Sequence, residues 1–139
     1  MKCPTKIILV LMLMVFSRIA GADVSLIIQK VEHDRGNVEV WIYTDSEAWL
    51  DESRAIEYLI IPAKVGRLEV TLSKIDTGVF AAFVYHDENG DGELNTGLFW
   101  RPKEGFAFSN NYEPKGPPQF SKAAVQTSDN EKVIINLNY

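Results

Sequence analysis

Apolar and polar residues alternate in short stretches along this chain, and no long amphipathic helix interrupts them, which confines the fold to packed β-sheets. Val38-Glu39-Val40-Trp41-Ile42-Tyr43 is the clearest case: Val38, Val40 and Ile42 fall on one face, Glu39, Trp41 and Tyr43 on the other. The same period places Val24, Leu26 and Ile28 together, then Leu68, Val70 and Leu72, then Val133, Ile135, Leu137 and Tyr139. Tyr58 to Ile61 adds a short strand stopped by Pro62, and Lys122 to Thr127 adds another. Val79 to Tyr85 is apolar at every position, so this strand is expected to be covered on both faces and to lie centrally in its sheet. Glu32 to Gly36 is short enough for a hairpin, Asp76-Thr77-Gly78 is a turn, and Asp45 to Lys64 is a long connection with one helical turn. About seven strands over one domain predict an all-β, antiparallel β-sandwich with one long loop.

The central strand runs into His86-Asp87-Glu88-Asn89-Gly90-Asp91-Gly92-Glu93-Leu94-Asn95. Asp87, Asn89 and Asp91 present oxygens at alternate positions, and Gly92 permits the sharp bend that brings them to one centre, as in the front half of a calcium loop. The EF-hand pattern then breaks, because its twelfth position is Leu98 and a strand precedes the loop. Calcium would draw on Asp87, Asn89, Asp91, the Glu93 carbonyl and Asn95, with Glu93 or Glu104 as the further acid. The other reading is a hairpin in which Asn89-Gly90 and Asp91-Gly92 supply positive φ angles and self-bonding side chains. His86 is expected to hydrogen-bond at the strand end, since two histidines in the whole chain cannot build a His-rich zinc or copper site.

Residues 1–22 have the pattern of a cleaved signal peptide: Lys2 and Lys6, an apolar run from Ile7 to Phe16, and Ala20-Gly21-Ala22. The run is too short to span a bilayer, and Cys3 precedes it, so neither membrane insertion nor a lipid anchor is expected. Residues 23–139 then form the mature domain, a monomer in the periplasm or the medium. Loss of Lys2, Lys6 and Arg18 leaves 11 basic and 19 acidic residues, a net charge of −8, which argues against nucleic acid as a partner.

Leu98 to Tyr112 is rich in aromatics, and the following residues to Phe120 are rich in Gly and Pro. Phe99, Trp100, Phe106, Phe108 and Tyr112 either pin this long loop to the sandwich or stack on a ligand. Phe106 and Phe108 are expected to bury. In the binding alternative Trp100, Tyr112, Asn110 and Asn111 would meet a carbohydrate or an extracytoplasmic protein or peptide, whereas the first reading has Ser109, Asn110 and Asn111 satisfying loop backbone. No cysteine follows the leader, Ser109 and Ser121 lack a nucleophile motif, and the carboxylates sit in a loop that looks solvated, so no enzyme is expected. A hydrolase working through Asp87 and Asp91 is the remaining catalytic reading.

The run Gly78 to Asn95, then Pro102 to Asn111, then Gly116-Pro117-Pro118-Gln119-Phe120 resembles the DUF2141 family, small exported bacterial proteins of unknown function. The resemblance covers most of the mature chain and departs at Val79-Phe80 and at Trp100-Arg101. It implies export and this fold, with no activity attached. A looser likeness to immunoglobulin-, transthyretin- or carboxypeptidase-regulatory-like sandwiches bears on fold alone.

Overall fold

The computed structural model describes residues 23–75, 78–98, 102–128 and 131–139. The leader stretch 1–22, two positions of the expected turn (76 and 77), Phe99, Trp100 and Arg101 lie outside the described residues.

Among the described residues eight strands form two sheets: β1 (Ser25–Val31), β2 (Asn37–Tyr43), β3 (Glu57–Pro62), β4 (Gly66–Thr71), β5 (Gly78–Asp87), β6 (Phe106–Phe108), β7 (Val125–Thr127) and β8 (Lys132–Asn136). The smaller sheet has the order β4-β1-β8; the larger has β3-β2-β5-β6, with β7 pairing the start of β5. The all-β sandwich read from the alternation is therefore what forms. Two expectations fail: β8 lies parallel to β1, and the Glu32 to Gly36 turn is not a hairpin, because β1 and β2 do not pair and the turn carries the chain from one sheet to the other. The eighth strand is β6, inside the stretch read as a loop, and Phe120–Ala123 makes one turn of helix just ahead of β7. Asp45 to Lys64 holds its helical turn as a 3-10 turn at Glu52–Arg54.

The core is the layer between the sheets. Leu26 and Ile28 of β1 and Ile135 of β8 face Val38, Val40 and Ile42 of β2, Phe80, Ala82 and Val84 of β5, and Ala107 of β6. Leu59, Ile61, Leu68 and Val70 close its sides. Those from β1, β2, β4 and β8 are the residues that the period-2 pattern assigns to one face, since a strand can bury only every second side chain against a single layer. The outer face of the small sheet is largely polar around an Ile27–Ile134 pair, with Glu69 between Arg67 and Lys132 at 3.0 Å each. The outer face of the large sheet is not. Glu39, Trp41 and Tyr43 sit in register with Tyr85, Phe83 and Ala81, and the connection before β3 and the segment around Phe120 pack over them. This second covering layer is why β5 is apolar on both faces. Among the described residues no helix is long and apolar enough to cross a membrane.

Candidate functional site

The acidic loop leaves the large sheet at Asp87, which is 1 % exposed. Its Oδ1 accepts the N–H groups of Gly90 (2.9 Å) and Asp91 (3.2 Å), and its Oδ2 that of Gly92 (2.9 Å). Gly90 and Gly92 both have positive φ, so the chain curls round this one carboxylate. Glu104, also buried, closes the loop from outside: Oε1 accepts from Glu88 N–H (3.0 Å) and Oε2 from Asn95 N–H (2.9 Å), the two ends of the turn. The carboxylates expected to be solvated are thus divided. Asp87 and Glu104 are buried and bonded to backbone; Asp91 and Glu93 are exposed.

Asp91 lies over the loop centre. Its Oδ2 accepts from the side-chain amides of Asn89 (3.1 Å) and Asn95 (2.9 Å), and its Oδ1 from Glu93 N–H (2.9 Å). These bonds, that of Asn95 foremost, hold the Asp91 carboxyl below its ordinary value despite some opposing burial. The Glu93 carbonyl faces the Asn95 amide at 3.5 Å. Every residue of the calcium reading is therefore in or against this loop, Glu104 included. The positive ends of the Asn89 and Asn95 amides stand where a cation's charge would act on Asp91.

The loop is also one wall of a cleft. The outer face of the large sheet carries a cross-strand row, Tyr58, Trp41, Phe83 and Phe108, one residue from each of β3, β2, β5 and β6. Trp41 stacks on Tyr58 with centroids 3.9 Å apart, and Phe83 on Phe108 at 5.1 Å. Trp41, Tyr43, Phe83, Phe106 and Phe108 floor a cleft of about 390 Å³. Leu94, Thr96 and Pro102 wall it on the side of the acidic loop, Leu50 and Glu52 on another, and Pro114 and Pro118 on a third. Glu52 is its one charged lining residue among the described residues. Tyr85, beneath the loop, ties floor to wall: its hydroxyl reaches Glu39 Oε2 at 2.7 Å and the Gly92 carbonyl at 3.1 Å.

The aromatic segment divides differently from expectation. Phe106 and Phe108 do turn inward, but onto the outer face of the sheet, while Ala107 between them enters the core. Asn110 and Asn111 adopt left-handed φ angles of 61° and 48°, and the Asn110 amide donates to the Lys122 carbonyl. The Tyr112 ring lies 5.9 Å from that of Phe108, and its hydroxyl accepts Gln119 N–H. Ser109 is buried, accepting Ala82 N–H and donating to the Ala123 carbonyl. None of Tyr112, Asn110 and Asn111 lines the cleft, and Trp100 is outside the described residues.

The model of a family described as "Uncharacterized protein conserved in bacteria (DUF2141)" matches residues 27–135. The chain belongs to this family. No curated protein and no solved structure matches it. The DUF2141 match spans β1 to β8 almost end to end, and so takes in the acidic loop and the whole floor of the cleft. What sequence reasoning missed in this DUF2141 chain is the floor itself. Alternation places Trp41 and Tyr43 opposite Val40 without naming a partner for them, although large apolar residues on both faces of β2 and β5 are the signal of a second packed layer. It also missed a meeting of distant residues: His33, His86 and Glu88 come together beside the loop, one donor atom of each within 4.8 Å of the others.

Proposed function

We propose that this protein is an exported, non-enzymatic binding module, in which the outer cleft holds an apolar peptide segment and a calcium ion at the acidic loop stiffens one wall. The observation that carries this reading is shared structure: Leu94 and Thr96 extend from the acidic loop to line the same cleft as Trp41 and Phe83. Whatever orders the loop therefore shapes the cleft. A floor of aromatics with proline walls suits an extended peptide, whose apolar side chains and prolines pack on rings; a glycan would ask for more polar groups than Glu52 and Thr96 supply among the described lining residues. Calcium is supported by the convergence of Asp87, Asn89, Asp91, Glu93, Asn95 and Glu104, and by amide donors that a cation can replace once Asn89 and Asn95 turn their oxygens inward. The non-enzymatic reading rests on Asp87 and Glu104, whose oxygens accept backbone N–H groups and are poorly placed to exchange protons with a substrate. Export rests on the leader pattern of residues 1–22.

The test is a calcium titration by calorimetry, a parallel melt in chelator, and titration of the neutral dye N-phenyl-1-naphthylamine with and without calcium. Saturable calcium binding, a raised melting temperature, and dye binding that tightens with calcium and weakens in Leu94→Asp are expected. Dye binding equal in chelator and calcium would separate the loop from the cleft. Tryptophan quenching by glycans, with no effect of the dye, would move the function to carbohydrate.

A further inference from the structure

The two histidines of the chain are 53 positions apart, yet their rings lie 4.6 Å from centroid to centroid. His86 is buried at the end of β5. His33 sits in the turn between β1 and β2, which is pressed onto the start of the acidic loop. Glu88, the first residue after β5, turns its carboxylate away from the loop centre and toward this pair, with Oε2 3.0 Å from His33 Nε2. No other trio of His, Cys, Asp or Glu donors among the described residues is as close.

We propose that His33, His86 and Glu88 form a site for a divalent first-row transition ion, zinc above all, separate from the calcium loop. Two imidazole nitrogens and a carboxylate oxygen are a zinc donor set with a fourth position open to water, and a poor one for calcium, which takes oxygens only. The proton positions suit this role. His86 Nε2 lies 2.7 Å from the Arg35 carbonyl, which can only accept, so Nε2 carries the hydrogen and Nδ1 carries the lone pair. A backbone carbonyl holding the far nitrogen is the support that ligating histidines ordinarily have. The lone pair at His86 Nδ1 faces the Tyr139 hydroxyl at 2.7 Å. An ion at that nitrogen would take the place of the Tyr139 hydroxyl, whose ring packs on Gly105 and whose oxygen also accepts Glu32 N–H, so binding requires that ring to shift.

His33 supplies an independent observation. With Nε2 directed at Glu88, its Nδ1 is buried and has no hydrogen-bond partner, the one such side-chain atom among the described residues. Because nothing bonds that nitrogen, the ring gives up only its contact with Glu88 when an ion takes Nε2, and reorienting to do so breaks no other hydrogen bond. The nearest competing cation is Arg35, whose guanidinium stands 3.7 Å from Glu88 on a largely exposed side chain and can retreat into water.

The test is titration of cobalt(II) into chelator-treated protein, read by visible absorption and followed by displacement with zinc. One equivalent should develop the bands of a four-coordinate nitrogen and oxygen site, and excess calcium should leave them unchanged. His33→Gln and Glu88→Gln should each weaken binding at least tenfold. His86→Gln risks the fold because that ring is buried, so the more peripheral His33 and Glu88 decide, each checked for a wild-type melt in chelator. Absence of a saturable cobalt spectrum, cobalt displaced by calcium, or wild-type affinity in both variants would each overturn the site.

Discussion

A carboxylate that is 1 % exposed and accepts three backbone N–H groups plays a different part from one in a solvated turn. Asp87 makes the turn possible, because the amides of Gly90, Asp91 and Gly92 point inward and need an acceptor. Asp87→Ala removes it while the glycines still bend the chain inward. Hydrogen bonds to charged groups contribute about 1.5–3 kcal/mol, and water can reach part of this exposed loop, so the expected loss is about 3 kcal/mol rather than the sum of three bonds. Asp87→Asn keeps one oxygen and should lose about half as much. Chemical denaturation in chelator measures both; a loss below about 0.5 kcal/mol for the alanine variant would mean that water replaces the carboxylate freely. The acids and amides of this loop were all legible from their spacing. Which of them are buried was not, since that depends on Glu104 arriving from nine residues beyond Asn95.

At the scale of elements, the turn between β1 and β2 is the hinge-pin of the site. Gly36 has φ +67°, and a Cβ placed on it would lie 1.9 Å from the Asp87 carbonyl oxygen. The turn is seated directly on the strand end that launches the acidic loop, and it sets the Arg35 carbonyl on His86 and the Gly36 carbonyl under Ala63 N–H. Gly36→Ala must therefore adopt a left-handed conformation and displace backbone as well as side chains. A destabilisation of at least about 2 kcal/mol is expected from thermal or urea unfolding, above the roughly 1 kcal/mol of an uncrowded glycine replacement. Gly90→Ala, with nothing near its added methyl, isolates the φ contribution and should cost less. Elements with local signatures could be read directly: β2 and β4 from alternation, β5 from its continuous apolar run, the turn before β2 from Gly36-Asn37, though not that this turn crosses between sheets instead of closing a hairpin. The parallel pairing of β1 with β8 could not, because strands more than a hundred residues apart carry no local mark of being neighbours. Phe106-Ala107-Phe108 shows the same limit. Its period is that of a strand, but the small residue faces the core and the rings face the second layer, so hydrophobicity alone points the segment the wrong way round.

Across the whole molecule, tyrosine hydroxyls reinforce neighbouring strands and tie loops to the sheets, and this makes the fold sensitive to alkali. Tyr58 and Tyr85 both donate to Glu39 Oε2, at 2.8 and 2.7 Å, linking β3, β2 and β5, while Tyr85 also reaches the acidic loop through Gly92. Tyr139 bonds His86 and receives Glu32 N–H, tying the end of the chain to the β1–β2 turn. Burial, and after it the Glu39 carboxylate, pushes Tyr58 up to about 12 and Tyr85 further; burial, with Glu52 and Asp51 behind it, pushes Tyr43 up to about 12. The folded chain therefore keeps phenolic protons that an unfolded chain releases above about pH 10. Stability from these groups is complete below that value and declines as pH rises through the folded values, the slope following the protons that unfolding gives up. The melting temperature should hold level to about pH 10 and then fall steadily, with tyrosinate absorbance rising in step with unfolding rather than before it. Tyr85→Phe separates this from general alkaline damage. At neutral pH it leaves Glu39 with one phenolic donor and costs about 1–2 kcal/mol; above about pH 10 the gap between variant and wild type should narrow, because the variant no longer has that proton to lose. A gap that stays constant up to about pH 12 would show that the Tyr85 proton does not couple to folding, and the bond to Glu39 would then be one that water can replace.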